Sequence, residues 1–101
     1  MRIADREAGL GDAVMARLES LAAFTEVPGE LTRLYLSPAH KAAALQVKHW
    51  MVQAGMEATI DAVGNVVGRY EGNAPGLPAL MLGSHIDTVR NAGRYDGSLG
   101  V

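Results

Sequence analysis

His85, Asp87 and Asp96 are the residues of this sequence whose types and spacing suit chemistry. They fall in one glycine-rich run, LMLGSHIDTVRNAGRYDGSLGV, residues 80–101. A divalent ion takes deprotonated nitrogen and oxygen donors, and an imidazole with two carboxylates offers both. His85 can give one ring nitrogen. Asp87, two residues on, shares its face if the segment is extended, and can brace the other ring nitrogen. Asp96 lies on a separate turn, Tyr95-Asp96-Gly97, and can offer one oxygen to each of two ions. The same residues also read as a loop histidine and an ordinary Asp-Gly turn, and spacing alone does not separate the readings. The sequence has no cysteine, which excludes disulfides and thiolate sites. Any metal is therefore held by imidazole and carboxylate, a donor set that suits zinc or manganese.

The elements that must position these residues can be read from periodicity. Val14, Met15, Leu18, Leu21 and Ala22 recur at helical spacing, which predicts a helix over residues 12–24 with Asp12 as N-cap and a frayed segment before it. Pro28-Gly29 marks its exit. Residues 30–36 read as an irregular linker anchored by Leu31, Leu34, Tyr35 and Leu36. Ser37-Pro38 opens a second helix, with Ser as N-cap and Pro at its first position. Ala43, Val47, Trp50, Met51 and Ala54 form its expected buried face, and Gly55 its left-handed stop. Alternation of Met56, Ala58 and Ile60 with Glu57 and Thr59 predicts a half-buried strand. Asp61-Ala-Val-Gly-Asn65 turns the chain, with Asn65 as a turn residue. Residues 66–70 return as the antiparallel partner. After the loop at residues 72–78, the all-apolar residues 79–82 read as a third, central strand that delivers the chain to His85. Ligands in open α/β sheets collect outside the carboxyl ends of the strands. The whole reads as a mixed α/β layer in which two helices cover one sheet face and the other face lacks cover. The expectation is the N-terminal part of a larger α/β domain, with Val101 near the start of another helix.

Composition narrows the partners. The chain has 101 residues, enough for one small domain, and 49% of them are hydrophobic, enough for a core. A net charge of −2 with 20% charged residues argues against a nucleic-acid footprint. No apolar run is long enough to span a membrane. The charged N-terminus lacks the apolar core of a signal peptide, so cytoplasmic location is the default expectation. Ser84 beside His85 and Asp87 does not make a nucleophilic triad, because sequence neighbours cannot easily form that relay. Gly93 to Gly97 lacks the Gly-Lys-Ser/Thr ending of a phosphate loop. His40 and His49 read as surface or rim residues, and Arg90 and Arg94 as solvated loop charges rather than anion contacts.

The segments Gly83-Ser-His85-Ile-Asp87-Thr-Val and Gly93-Arg-Tyr-Asp96-Gly-Ser-Leu-Gly-Val resemble the start of the allantoate amidohydrolase and N-carbamoyl-L-amino-acid hydrolase group. Upstream, Thr32-Arg-Leu-Tyr-Leu-Ser-Pro38, Trp50-Met51 with Ala54-Gly-Met56, and Asp61-Ala-Val-Gly64-Asn65 fit as well, so the resemblance runs from about Leu18 onward. The group belongs to the dinuclear metallohydrolases related to aminoacylases and zinc exopeptidases. The resemblance implies a mixed-sheet catalytic domain of that type, incomplete here, with residues 1–101 as its N-terminal, metal-binding part. It implies two divalent ions, zinc or manganese. His85 resembles the first metal ligand, Asp96 the carboxylate bridging both ions, and Asp87 the partner that orients His85. It implies hydrolysis of a ureido C–N bond in a small-molecule ureide, with release of ammonia and carbon dioxide. Allantoate is the first choice, since HIDTVRNAGRYDG looks closer to that subgroup, and an N-carbamoyl amino acid is the alternative. A non-catalytic binding module on the same scaffold is the alternative of another class. The family's paired glutamates, later histidine ligands, substrate-binding arginine and dimerising lid lie beyond these residues. The full-length protein is expected to be a homodimer and this stretch alone inactive, since two protein ligands fall short of the three or four a stable site needs.

Overall fold

The computed structural model of the chain describes residues 3–101. Its elements are α1 (Ile3–Ala22), α2 (Pro38–Gln53), the antiparallel strands β1 (Glu57–Ile60) and β2 (Val66–Arg69), and a 3₁₀ turn at Ser98–Gly100. This is an α/β arrangement.

Helix α1 starts well before the expected Asp12 cap, and Asp12, Gly9 and Gly11 lie inside it. Glycine costs a helix about 1 kcal/mol relative to alanine but keeps its N–H, so it weakens the ladder without breaking it. Only Leu18 and Leu21 of the expected stripe are buried; Val14 and Met15 are exposed.

Helix α2 has local signals at both ends. Ser37 accepts from the His40 N–H at 3.1 Å, and Pro38 follows. At the other end Gly55 takes φ 92°, the Gly55 N–H donates to the Val52 carbonyl and the Met56 N–H to the Met51 carbonyl. That pair of bonds is the Schellman stop, and it needs a residue tolerant of the left-handed region. The helix buries Ala43, Ala44 and Val47. Trp50 and Met51 pack on this cluster, whereas Ala54 is exposed, because it caps the helix instead of facing the core.

The β1–β2 hairpin closes through Asp61. Its carboxylate accepts from the Val63 and Asn65 N–H groups and from the Asn65 side chain. These bonds hold the Asp61 carboxyl below its usual range. Gly64 in the same turn takes φ 90°. Helix α2 packs on both strands, while α1 packs on the 3₁₀ turn, so one helix covers the sheet rather than two. Leu21, Ala43, Ala44, Val47 and Ile86 form the core.

Three further expectations are corrected. The sheet has two strands among the described residues, and residues 79–82 are not in it. A strand needs a neighbour for its ladder, and none of these residues supplies one. Leu80, Met81 and Leu82 are therefore 87%, 90% and 84% exposed. The linker is anchored not by Tyr35 and Leu36, which are exposed, but by Leu31 with the polar pair Thr32 and Arg33, all buried. Their backbone runs beside residues 88–92. The Thr88 N–H donates to the Arg33 carbonyl at 2.7 Å and the Ala92 N–H to the Leu31 carbonyl at 2.8 Å. The hydroxyls of Thr88 and Thr32 accept from the Arg33 and Asn91 N–H groups. His40 is buried, not on the rim, because the chain folds back before the cap. Its Nδ1 accepts from the Leu36 N–H at 3.1 Å, and Tyr35 packs edge-on against its ring. His49 is exposed, as expected.

Two measurements check this fold. Contiguous exposed apolar side chains drive association. The 101-residue chain should scatter light and bind hydrophobic dyes, and a Leu80→Lys/Leu82→Lys variant should lose both signals with little change in thermal midpoint. A soluble monomer with a sharp thermal transition before substitution would contradict this. Burial lowers the His40 pKa below its ordinary 6.5. Its contribution to stability is therefore present above that value and is lost as the pH falls through the lower, folded-state value. His40→Gln keeps an acceptor for Leu36 and removes the titration. The loss of stability between pH 7.5 and pH 5, followed by denaturant unfolding, should shrink in that variant.

Candidate metal centre

Ile86 is the core residue that carries the candidate ligands. Its side chain is buried with α2, which leaves His85 and Asp87 on either side of it to point away from the core. The His85 and Asp87 side chains are both about half exposed. His85 Nδ1 lies 2.9 Å from the Asp87 carbonyl oxygen and 3.5 Å from its carboxylate. A carbonyl only accepts, so Nδ1 is the donor in this contact, and in a neutral ring the lone pair is then on Nε2. The backbone of Asp87 thus holds the ring more closely than the carboxylate does.

Nε2 faces Asp96. The separation from Asp96 Oδ1 is 3.6 Å, and the Asp96 side chain is also about half exposed. This is too long for a hydrogen bond. It is near the roughly 3.4 Å that separates two ligands on one tetrahedral zinc with bonds of about 2.1 Å. The donor types and their spacing therefore fit part of a metal site. Among the described residues no third histidine, aspartate or glutamate joins them.

The approach depends on Gly97. Its φ is 71°, and a Cβ there would sit 2.5 Å from both His85 Nδ1 and the His85 carbonyl oxygen. Any side chain would push the Asp96 turn off the imidazole. Ser84 secures the same turn by donating to the Gly97 carbonyl at 2.7 Å, so its hydroxyl is not aimed at His85. The Ser98 N–H returns to the Asp96 carbonyl at 2.8 Å.

Beneath the loop lies Arg33, fully buried. Its Nε donates to the Ile86 carbonyl at 2.7 Å. One terminal nitrogen donates to the Leu21 and Phe24 carbonyls at 2.6 and 2.9 Å, and the other reaches the Ser98 hydroxyl at 3.4 Å. Burial pushes the guanidinium pKa down, and the charge of Asp87 acts in the opposite direction. Arg94 pairs with Glu19 of α1, which ties the glycine loop to that helix and occupies its charge. Arg90 is exposed. A groove of about 470 Å³ opens beside the candidate ligands, lined by His40, Gly64, Asn65, Ser84, His85 and Asp87 among others. Hydropathy gave no sign of Arg33 or His40 as interior groups. The polar pair Thr32-Arg33 next to Leu31 was the signal available.

No family model matches the chain. It is 44% identical over 92 residues to allantoate deiminase 2 of Glycine max, which covers 91% of this chain and 19% of that protein. To the N-carbamoyl-L-amino-acid amidohydrolase of Pseudomonas sp. (strain NS671) it is 52% identical over 69 residues, or 68% of this chain and 17% of that one. The fold is similar to the crystal structure of a hydantoinase/carbamoylase family amidase from Burkholderia ambifaria, with a TM-score of 0.82 and 33% identity over 90% of this chain and 23% of that chain. The chain thus spans about a fifth of the length of the relatives it matches. With identity at this level along most of its length and the fold shared, the chain belongs to the group of allantoate deiminases and N-carbamoyl-L-amino-acid amidohydrolases, in the hydantoinase/carbamoylase family of amidases.

Proposed function

We propose that this chain is the N-terminal part of the catalytic domain of a dinuclear metal-dependent amidohydrolase, and that it contributes His85 as a ligand to one ion and Asp96 as the bridge between two. The observation that carries this reading is the 3.6 Å separation of His85 Nε2 and Asp96 Oδ1, with Nδ1 already satisfied. The substrate is a linear ureide, with allantoate first, and the reaction breaks a ureido C–N bond. Water is consumed, and ammonia, carbon dioxide and the amine are released. When bound, zinc or manganese ions supply carbonyl polarisation and a water of lowered pKa.

The residues of this chain do the positioning. The Asp87 carbonyl keeps the proton on His85 Nδ1 and so keeps Nε2 a donor to metal. The Asp87 carboxylate lies 3.5 Å from the same ring nitrogen and limits how far the ring can turn. Gly97 lets Asp96 close on it. The general base, a glutamate, and the other ligands come from outside these residues. The assembled enzyme is cytoplasmic and dimeric in this reading.

A second reading has an observation of its own. The Pseudomonas amidohydrolase is 52% identical over the stretch it shares, so an N-carbamoyl-L-amino acid is the alternative substrate. A binding module that has lost the chemistry would keep the fold and release no ammonia from either compound.

The test is ammonia release from allantoate and from N-carbamoyl amino acids, made on the protein as its gene encodes it. Asp96→Ala should abolish turnover and lower metal occupancy measured by elemental analysis. Unchanged turnover in that variant would remove the metal reading. Faster release from the carbamoyl compound would exchange the two substrates.

A further inference from the structure

We propose that Arg33 is a positioning residue for the candidate ligand pair, and that its guanidinium sets the distance between His85 Nε2 and Asp96 Oδ1. The proposal rests on the metal reading above. Ile86 lies between His85 and Asp87, so the bond from Arg33 Nε to its carbonyl fixes the backbone that aims the imidazole. On the other side, the same guanidinium reaches the Ser98 hydroxyl. Ser98 is bonded through its N–H to the Asp96 carbonyl, so a displacement of Ser98 moves the Asp96 turn. One rigid planar group thus touches both segments that carry the ligands.

The other end of that group is anchored. The Leu21 and Phe24 carbonyls at the end of α1 hold it at 2.6 and 2.9 Å. Among the described residues Arg33 has no carboxylate within ion-pair distance, so its partners are carbonyls and a hydroxyl. That set of partners fixes geometry rather than pairing charge. Lysine cannot reproduce it, since an ammonium is a point donor without the planar fork.

Cobalt(II) titration followed by visible absorption tests this on the protein as its gene encodes it. The absorption bands report coordination geometry independently of turnover. Wild-type protein is expected to bind cobalt. Arg33→Lys and Ser98→Ala should each weaken the affinity by about tenfold and alter the bands, which is the scale of losing a group that orients a ligand. Thr32→Val is the control. It removes the bond from the Asn91 N–H, in the same ladder but away from both ligands, and should lower the thermal midpoint while leaving cobalt affinity and bands unchanged. If Arg33→Lys does not fold, Ser98→Ala carries the test alone. Wild-type affinity and bands in Ser98→Ala would overturn the proposal and leave the metal reading standing. So would an affinity loss that Thr32→Val reproduces at equal stability. Absence of cobalt binding by the wild-type protein would remove the metal reading and this proposal together.

Discussion

A buried guanidinium must satisfy its donors or leave the interior, and in this protein that requirement joins the parts of the chain. Arg33 has no exposed surface and cannot shed its proton under ordinary conditions. Desolvating such a charge is costly unless each donor finds an acceptor. Two acceptors come from Leu21 and Phe24, where α1 runs out and the helical ladder ends; the Leu21 carbonyl also accepts from the Phe24 N–H at 3.0 Å. The negative end of the helix dipole lies there too, and α1 has no basic residue of its own in its last turn. A distant arginine therefore caps α1. Its remaining donors face the loop of the candidate ligands, so the same side chain that ends the helix supports the site.

Around this group the protein uses polar ladders where apolar packing would be expected. Thr32 and Thr88 are almost fully buried, and each hydroxyl takes a backbone N–H from the opposing segment. Thr25 does similar work in the turn after α1, donating to the Glu30 carbonyl and accepting from the Thr32 N–H. Such contacts specify register, because a one-residue slip leaves buried hydroxyls and amides unpaired. The hydrophobic cluster of α2, Leu21 and Ile86 is small by comparison. The apolar run at residues 80–82 adds nothing to it, since all three side chains face solvent.

Local signals were legible in the sequence, and non-local ones were not. The limits of α2 could be read because Ser37, Pro38 and Gly55 act on backbone groups a few residues away. The hairpin was legible for the same reason, with alternation on the first strand and an Asp61-to-Asn65 turn closed by its own side chains. The start of α1 lies earlier than an Asp12 cap implies, because Gly9 and Gly11 weaken a helix without ending it. Hydropathy predicts a strand at residues 79–82, but a strand exists only with a partner, and among the described residues none pairs with them. Arg33 and His40 were hidden because an arginine in a loop and a histidine near a helix start are ordinarily solvated.

The sequence by itself determined the candidate donors and their order, with imidazole and carboxylate but no thiolate among these 101 residues, because residue type settles which atoms can bind a metal. It also favoured the left-handed turns at Gly55, Gly64 and Gly97, since glycine accepts positive φ without strain, whereas Leu36 takes φ 60° with no such local signal. Tertiary structure alone decided that His85 and Asp96 face each other at 3.6 Å and that Arg33 lies beneath both segments. Those distances join residues far apart in the chain, and they are fixed by burial and by hydrogen bonds that exist only once α1, the linker and the glycine loop have packed together.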